Sequence, residues 1–230
     1  MKIILPSYAI MTPLEIIEDM ITMIEKIGRT CYKSEDKITE GSASAFVSKI
    51  INSGHHSVIE HANITVKFIC DRGVSHELVR HRLASFSQES TRYCDYSKEK
   101  FDKQLTFIKP PWVAIDVGEY KTDDDCTSHL WTDGMWFRTM LGIEHTYLSL
   151  INAGWKPQEA RSILPNSLKT EIVVTANVRE WRHILEVRCS PAAHPQMREL
   201  MLPLSSRLHT LLPEIFVDWN EATKQIERKE

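Results

Sequence analysis

Residues 79–96 read VRHRLASFSQESTRYCDY, which puts Arg80, His81, Arg82 and, after seven intervening residues, Ser90 with Arg92-Tyr93 behind it into one short segment. Guanidinium groups pair bidentately with phosphates and carboxylates, and hydroxyls and loop amides add donors, so these residues suit an anion. Read as part of a helix capped by Ser75, the segment turns by about 100° per residue. Arg80 and Arg82 then point to nearly opposite sides, toward two ligands or toward one ligand and a second subunit. Ser85, Ser87 and Ser90 fall where such a helix frays into a loop. On these residues alone, a solvated helix face followed by a serine-rich turn accounts for the pattern equally well.

Two other segments carry groups that could do chemistry. GHHSVIEH holds His55, His56, Glu60 and His61. His56 and Glu60 stand four apart, the spacing of two metal ligands on one helix face. There is no HExxH, however, and His194 and His209 are isolated, so a polar loop entering a strand, or a hydrogen-bonding wall beside a ligand, fits better. In NVREWRHILEVR, Val178, Trp181, Ile184 and Leu185 form an apolar stripe onto which Arg188 also falls. An arginine is almost never buried without a partner. Arg188 therefore meets a carboxylate or a bound anion, or it snorkels to the surface at the helix end. Arg179 and His183 make a separate polar face, and Arg161 in PQEARSILP carries the same ambiguity as Arg188. There is no GxSxG elbow and Cys189 lacks a clear partner. No P-loop or GxGxxG occurs, so phosphate would have to be held by arginines and loop amides.

The elements that must position these groups follow from periodicity. Residues 1–5 read as a strand. Thr12 as N-cap and Pro13 at the first helical position open a helix. A second helix ends at Gly54. Ile64, Val66, Phe68 and Cys70 alternate with polar residues as in a strand, and LTFI suggests another before Pro110-Pro111. A polar loop at 121–125 precedes a long helix over about 127–153, stopped by Gly154, and Pro157 begins a short helix ending near Pro165. LKTEIVVTA is a β-branched strand. Asn177 caps the helix that follows, with Glu180 placed for a capping box, and a last helix covers about 196–212. Strands and long helices mix without a βαβ rhythm. The expectation is an α+β fold, a modest antiparallel or mixed sheet packed against several long helices, as a single domain over residues 1–230.

Composition narrows the function. The chain is 42% hydrophobic and 26% charged with a net charge of −3, which argues against a general nucleic-acid coat. A local basic segment in a mildly acidic chain points to a specific site. Five cysteines, an odd count without CxxC, argue against a disulfide framework or zinc ribbon and suit a reducing cytosol. The N-terminal apolar run is too short for a secretory signal and is cut by Pro6, and no stretch approaches a membrane span. We expect a cytoplasmic protein with no nucleic-acid or membrane partner and no bound metal.

Taken together, the segments resemble the flavin-dependent thymidylate synthases. The hallmark of that family, Arg-His-Arg, seven residues, then Ser, stands here as Arg80-His81-Arg82…Ser90, followed by Arg92-Tyr93. HHSVIEH is similar to the family's His-x-Ser/Thr-x-x-Glu-His block, and EARSILP, TANVREWRHILEVR and AAHPQMRE follow in family order. The resemblance spans residues 55–199. It implies transfer of a methylene unit from methylenetetrahydrofolate to C5 of dUMP, with hydride from reduced FAD and NADPH re-reducing the flavin. It also implies a homotetramer whose active sites are shared between subunits.

Carried over by position, the resemblance assigns FAD contacts to Ser57, Arg80, His81, Arg82, Asn177, Arg179 and His183. It assigns dUMP contacts to Glu77, Arg80, Ser90, Arg92, Arg161 and Arg188. Gln88 stands where many members have a glutamate touching both ligands, and Glu77 where a glutamine is frequent. Ser87 replaces a common asparagine. Arg188 matches the arginine beside the pyrimidine that activates it. That role has a physical basis: a fixed cation at a carbonyl edge of uracil stabilises negative charge on the ring and makes C5 more electron-rich. No Pro-Cys nucleophile is present and no base adjoins Ser90 in the sequence, so Ser90 is assigned to ligand binding. The readings from other classes are a nucleic-acid module using the basic segment and a metal-dependent hydrolase built on His55, His56 and His61.

Overall fold

The computed structural model describes residues 1–219; the expected domain's last stretch, 220–230, lies outside the described residues. In chain order the elements are β1 (Lys2–Ile4), β2 (Ser7–Ile10), α1 (Leu14–Thr30), α2 (Ser42–Asn52), β3 (Asn63–Asp71), α3 (Arg72–Leu78), β4 (Ala84–Gln88), β5 (Thr106–Ile108), β6 (Gly118–Glu119), α4 (Trp131–Asn152), α5 (Pro157–Ala160), β7 (Lys169–Asn177), α6 (Val178–Arg188) and α7 (Pro195–Leu211). Short 3-10 turns lie between them, among them His56–His61 and Arg161–Ile163. The strands form a three-stranded sheet ordered β5-β1-β6 and a four-stranded sheet ordered β2-β3-β7-β4. The fold is α+β, as the mixture of sequence periods predicts. In β3 the alternating Ile64, Val66, Phe68 and Cys70 are all buried, and in β7 so are Thr170, Ile172, Val174 and Ala176.

The chain divides into two compact units. The first comprises residues 1–7, 68–80 and 87–172. In it β1 runs parallel to β5, with Ile3 opposite Phe107, and antiparallel to β6, with Ile3 opposite Gly118. The core gathers Ile3, Leu105, Phe107, Phe137, Leu141 and Tyr147. Glu144, a buried acidic group on α4, is engaged through both oxygens. One oxygen meets the Met1 amine at 2.6 Å and the other accepts from Leu105 N–H at 2.6 Å, which offsets the desolvation of a carboxylate.

The second unit comprises residues 8–67, 81–86 and 173 onward. Here α1 packs on α2, and α6 packs on the 56–61 turn and on α7. The α1–α2 approach depends on Gly28, where a Cβ would come within 2.7 Å of the Phe46 ring. Trp181 is fully buried and its indole N–H donates to the Ile64 carbonyl at 2.9 Å. Ile184 and Leu185 are fully buried beside it, each worth about 1.5–3 kcal/mol. These contacts fix the rotation of α6, and hence where Glu180, His183 and Arg188 stand.

The structure corrects several local expectations. The cap of α3 is Asp71, which accepts from Val74 N–H at 2.8 Å; Ser75 lies inside the helix, its hydroxyl bonded to the Arg72 carbonyl. The helix stops at Leu78, so Arg80-His81-Arg82 is not helical, and helical rotation does not set the two arginines on opposite sides. Val79 and Leu83, which flank the arginines, are 40% and 75% exposed. The serines that were expected to fray a helix lie in β4 and just after it. Serine hydroxyls compete with helical backbone hydrogen bonds, and the neighbouring strand supplies others such as Glu89 N–H to the Glu171 carbonyl at 2.8 Å. Thr12 does not cap α1, because its hydroxyl accepts from Thr65 N–H. The long helix begins at Trp131 rather than near 127, because Thr127 and Ser128 bond Asp116 N–H and the Asp133 carboxylate instead.

Candidate functional site

In the second unit, α6 brings four of the singled-out groups together. Arg188 Nε donates to His81 Nε2 at 2.9 Å. On the other side of the same imidazole, Glu180 Oε1 lies 3.6 Å from Nδ1, and the His183 ring meets it edge-on at 5.8 Å between centroids. Arg188 is half-buried at the helix end, neither snorkelled away nor packed without a partner. His81 and Glu180 are each only 7% exposed. Burial, then the Arg188 cation, then His183 lower the His81 pKa to about 4, so the imidazole is neutral at physiological pH. Burial raises the Glu180 pKa, and His183 opposes that rise. The expected capping box gives way to this arrangement: Asn177 caps α6 through Glu180 N–H at 2.8 Å, but the Glu180 carboxylate turns toward His81.

His81, Glu180 and His183 place ligand atoms within 4.8 Å of one another, a separation a divalent cation could use. The Arg188 guanidinium bonded to His81 argues against it, because a dication there would sit beside a fixed positive charge. The other metal candidates are dispersed. Residues 56–61 form a 3-10 turn, in which residues three apart, not four, eclipse, so His56 and Glu60 do not share a face. His56 Nε2 lies 3.3 Å from the Ile51 carbonyl, and Glu60 pairs with Arg179 at 2.5 Å. His194 caps α7 and His209 lies 3.0 Å from the Phe216 carbonyl.

A cavity of about 380 Å³ opens beside α6, lined by His56, Arg179, Arg182, His183, Glu186, Asp218 and Trp219. The sequence pairing of Arg179 with His183 on one polar face holds here. Arg182 and Trp219 were not foreseen; Arg182 lies over the Trp219 ring at 5.2 Å and pairs with Asp218. A second cavity of about 520 Å³ in the same unit is lined by Arg29, Tyr32, Lys37, Phe46, Lys49 and His55. The second surrounds a space with cations and aromatic rings, which suits a ligand with an anionic part and a flat part; in the first, Glu186 and Asp218 offset part of the arginine charge. Ser57 is exposed on the 56–61 turn and Arg82 is exposed after His81.

The first unit holds the other group. Ser90 and Arg92 share a tight turn: Ser90 Oγ accepts from Arg92 N–H at 3.3 Å, and the Ser90 carbonyl accepts from Tyr93 and Cys94 N–H. The Arg92 guanidinium lies over the Tyr93 ring at 5.3 Å and donates through Nε to Gln158 Oε1 at 3.3 Å. Gln158 stands on α5, and Arg161 opens the 3-10 turn that directly follows it, so Arg92 is held against the helix just before Arg161. Arg80 and Arg161 are exposed, and Glu77 is half-buried in α3. Gln88 Nε2 donates to Ser75 Oγ at 2.8 Å and to Thr170 Oγ1 at 3.3 Å.

Sequence reading missed the group that supports this turn. Lys169 donates to Glu171 at 2.7 Å and Glu89 at 2.9 Å, and Glu89 also accepts from the Tyr96 hydroxyl at 3.0 Å. Burial works against the Lys169 charge, but the hydrogen bonds to Glu171 and Glu89 outweigh it and raise its pKa. The only advance signal was the alternation of charge across residues 89, 169 and 171, which says nothing without the strand pairing. Three of the thiols are held back from activation. Burial pushes Cys189 up to about 11 and raises Cys70 and Cys94 as well, so none of these three offers thiolate at neutral pH.

A family model described as thymidylate synthase complementing protein matches residues 14–214. The flavin-dependent thymidylate synthase of Mycolicibacterium gilvum is 32% identical over 203 residues, covering 86% of this chain and 78% of the relative. That of Geobacter sulfurreducens is 31% identical, covering 83% and 78%, and that of Pyrococcus furiosus 32% identical, covering 82% and 71%. Among solved structures, a UMP/dUMP methylase PolB from Streptomyces cacaoi, bound with 5-Br UMP, superposes with a TM-score of 0.69 at 18% identity, covering 96% of this chain and 97% of that one. At that identity the likeness speaks for the fold.

Proposed function

The chain belongs to the thymidylate synthase complementing protein family, and we propose that it is a flavin-dependent thymidylate synthase, acting as one catalytic domain. Its reaction is dUMP + methylenetetrahydrofolate + NADPH + H⁺ → dTMP + tetrahydrofolate + NADP⁺. Bound FAD, when reduced, supplies the hydride that completes the methyl group.

The observation that carries the reading is the Arg188 guanidinium, half-buried and fixed through Nε on the neutral His81 ring. With Nε anchored, the plane of the guanidinium is set. A cation held in that plane against a carbonyl edge of uracil stabilises negative charge on the ring and enriches C5 for attack on the methylene carbon. A partly desolvated setting strengthens the effect. The proton displaced from C5 leaves to solvent. No thiol addition at C6 is needed, in keeping with the raised pKa values of Cys70, Cys94 and Cys189.

The residues fit an FAD: its pyrophosphate needs cationic donors and its rings need flat walls. The cavity beside α6 offers cationic donors in Arg179 and in Arg182, the latter already paired with Asp218, and a flat wall in Trp219. Ser57, Arg80, His81, Arg82, Gln88, Asn177, Arg179 and His183 would hold it. By the family resemblance, Arg80, Ser90, Arg92 and Arg161 would take the dUMP phosphate, Glu77 and Gln88 would be further dUMP contacts, and Arg188 would meet the pyrimidine. A homotetramer with shared sites is supported by the apolar side chains left exposed on α1 and α4, among them Ile16, Leu130 beside the helix start, Trp131 and Met135. Among the described residues no helix is long and apolar enough to cross a membrane, and we place the enzyme in the cytoplasm.

The test is the visible spectrum of the purified protein together with one variant. A flavin spectrum bleached by NADPH and perturbed by dUMP is expected, and Arg188→Ala should lose dTMP formation while keeping the flavin. A colourless protein that cannot be reconstituted with FAD, or an Arg188→Ala variant with normal turnover, sinks the proposal.

A further inference from the structure

Arg188 does not set its own direction. Its Nε bonds to one nitrogen of His81, and that bond has a condition. A guanidinium carries only donors, so His81 Nε2 must present a lone pair. A neutral imidazole has one lone pair and one N–H, so the proton must reside on Nδ1. Glu180 lies on that side, its Oε1 3.6 Å from Nδ1. This is longer than a hydrogen bond, but with both side chains nearly buried the carboxylate favours an N–H dipole pointing at it and disfavours a lone pair there. Were the proton on Nε2 instead, two N–H groups would face each other at 2.9 Å and Arg188 would turn away.

We propose that Glu180 is a positioning residue: its carboxylate holds the His81 proton on Nδ1, and thereby fixes the Arg188 guanidinium through His81 Nε2. The inference rests on the reading of Arg188 as the activating cation. It gives His81 a second duty beside any contact with the flavin. It also accounts for the burial of Glu180, whose place in the first turn of α6 would be satisfied equally by an exposed carboxylate facing the helix N-terminus. The neutral state of His81 follows from burial and from Arg188 and His183; Glu180 selects the tautomer.

The experiment uses the holoenzyme labelled with ¹⁵N-histidine, in which long-range proton–nitrogen correlation distinguishes the two tautomers. Wild type should show His81 protonated on Nδ1. Glu180→Ala should show the tautomers mixing, with kcat lowered about tenfold, the loss expected for a misplaced charge-assisted hydrogen bond. KM for dUMP and flavin occupancy should stay within about twofold of wild type. Glu180→Gln, whose carboxamide oxygen can still turn its dipole toward Nδ1 without the charge, should restore part of kcat. A role confined to helix stability would lower the melting temperature and leave the tautomer and kcat in place, which would overturn the proposal. An Nε2-protonated His81 in wild type overturns it too, whether or not the alanine variant folds. If Arg188→Ala retains turnover, the underlying mechanism fails; if Arg188→Ala is dead and Glu180→Ala is fully active, only the positioning role fails.

Discussion

Replacing Lys169 with methionine should reveal how the turn carrying Ser90 and Arg92 is held. Lys169 is 18% exposed at its side chain, between Glu89 at 11% and Glu171 at 35%. Methionine keeps the length and apolar stem of lysine but leaves two carboxylates facing each other without the cation. Removing one partner of a well-buried ion pair costs about 3–5 kcal/mol, and the exposure of Glu171 lets water recover part of that, so we expect about 3 kcal/mol. For a chain of this length that is a fall of roughly 6–12 °C in Tm. The effect has a pH signature. In wild type the Lys169 pKa is raised above 10.5, so its contribution is complete at neutral pH and is lost only as pH rises through that higher value. In the variant the carboxylates are pushed up, so the deficit is greatest at neutral pH and shrinks as acid protonates them. Calorimetry at pH 8 and pH 5, with the Lys169→Met/Glu89→Gln double variant recovering part of the loss, measures all of this. Because Glu89 directly precedes Ser90, KM for dUMP should rise as well. A Tm close to wild type at pH 8, or a deficit equal at both pH values, would refute the reasoning.

Two further outcomes follow from the same geometry. Arg92→Lys keeps the charge but loses the Nε bond to Gln158 and the planar contact with Tyr93, so KM for dUMP should rise about tenfold with kcat little changed, as steady-state assays will show. His81 has a folded pKa of about 4 against an ordinary 6.5. The unfolded chain therefore takes up a proton that the native state refuses, and stability should fall as pH drops from 6.5 toward 4; in His81→Gln, followed by denaturant titration, that part of the acid sensitivity should vanish.

Much of the candidate site was legible in the sequence because the signals were local. The alternation in β3 and β7 names the buried faces, Asn177 is an N-cap by residue type, and Arg188 falls on the Trp181 stripe by counting turns. The Arg80-His81-Arg82 segment was legible as chemistry but not as structure. Nothing in its residues says that Asp71 rather than Ser75 caps α3, or that the sheet draws residues 84–88 into a strand. Helix propensity there is weak, and strand pairing with a segment more than eighty residues away outweighs it.

By itself, then, the sequence determined which groups are available: the arginines, the neutral or charged imidazoles, the absence of a Gly-rich phosphate turn, and the period that buries one side of each element. Only the tertiary structure decided which of them meet. Glu180 looked like half of a capping box, and His81 like one basic residue among three. Burial of Trp181 against Ile64 rotates α6 so that Glu180 and Arg188 flank His81, and the low dielectric there turns a string of charges into a directed arrangement. Contacts between residues about a hundred positions apart leave no local trace, because each partner obeys only its own element's periodicity.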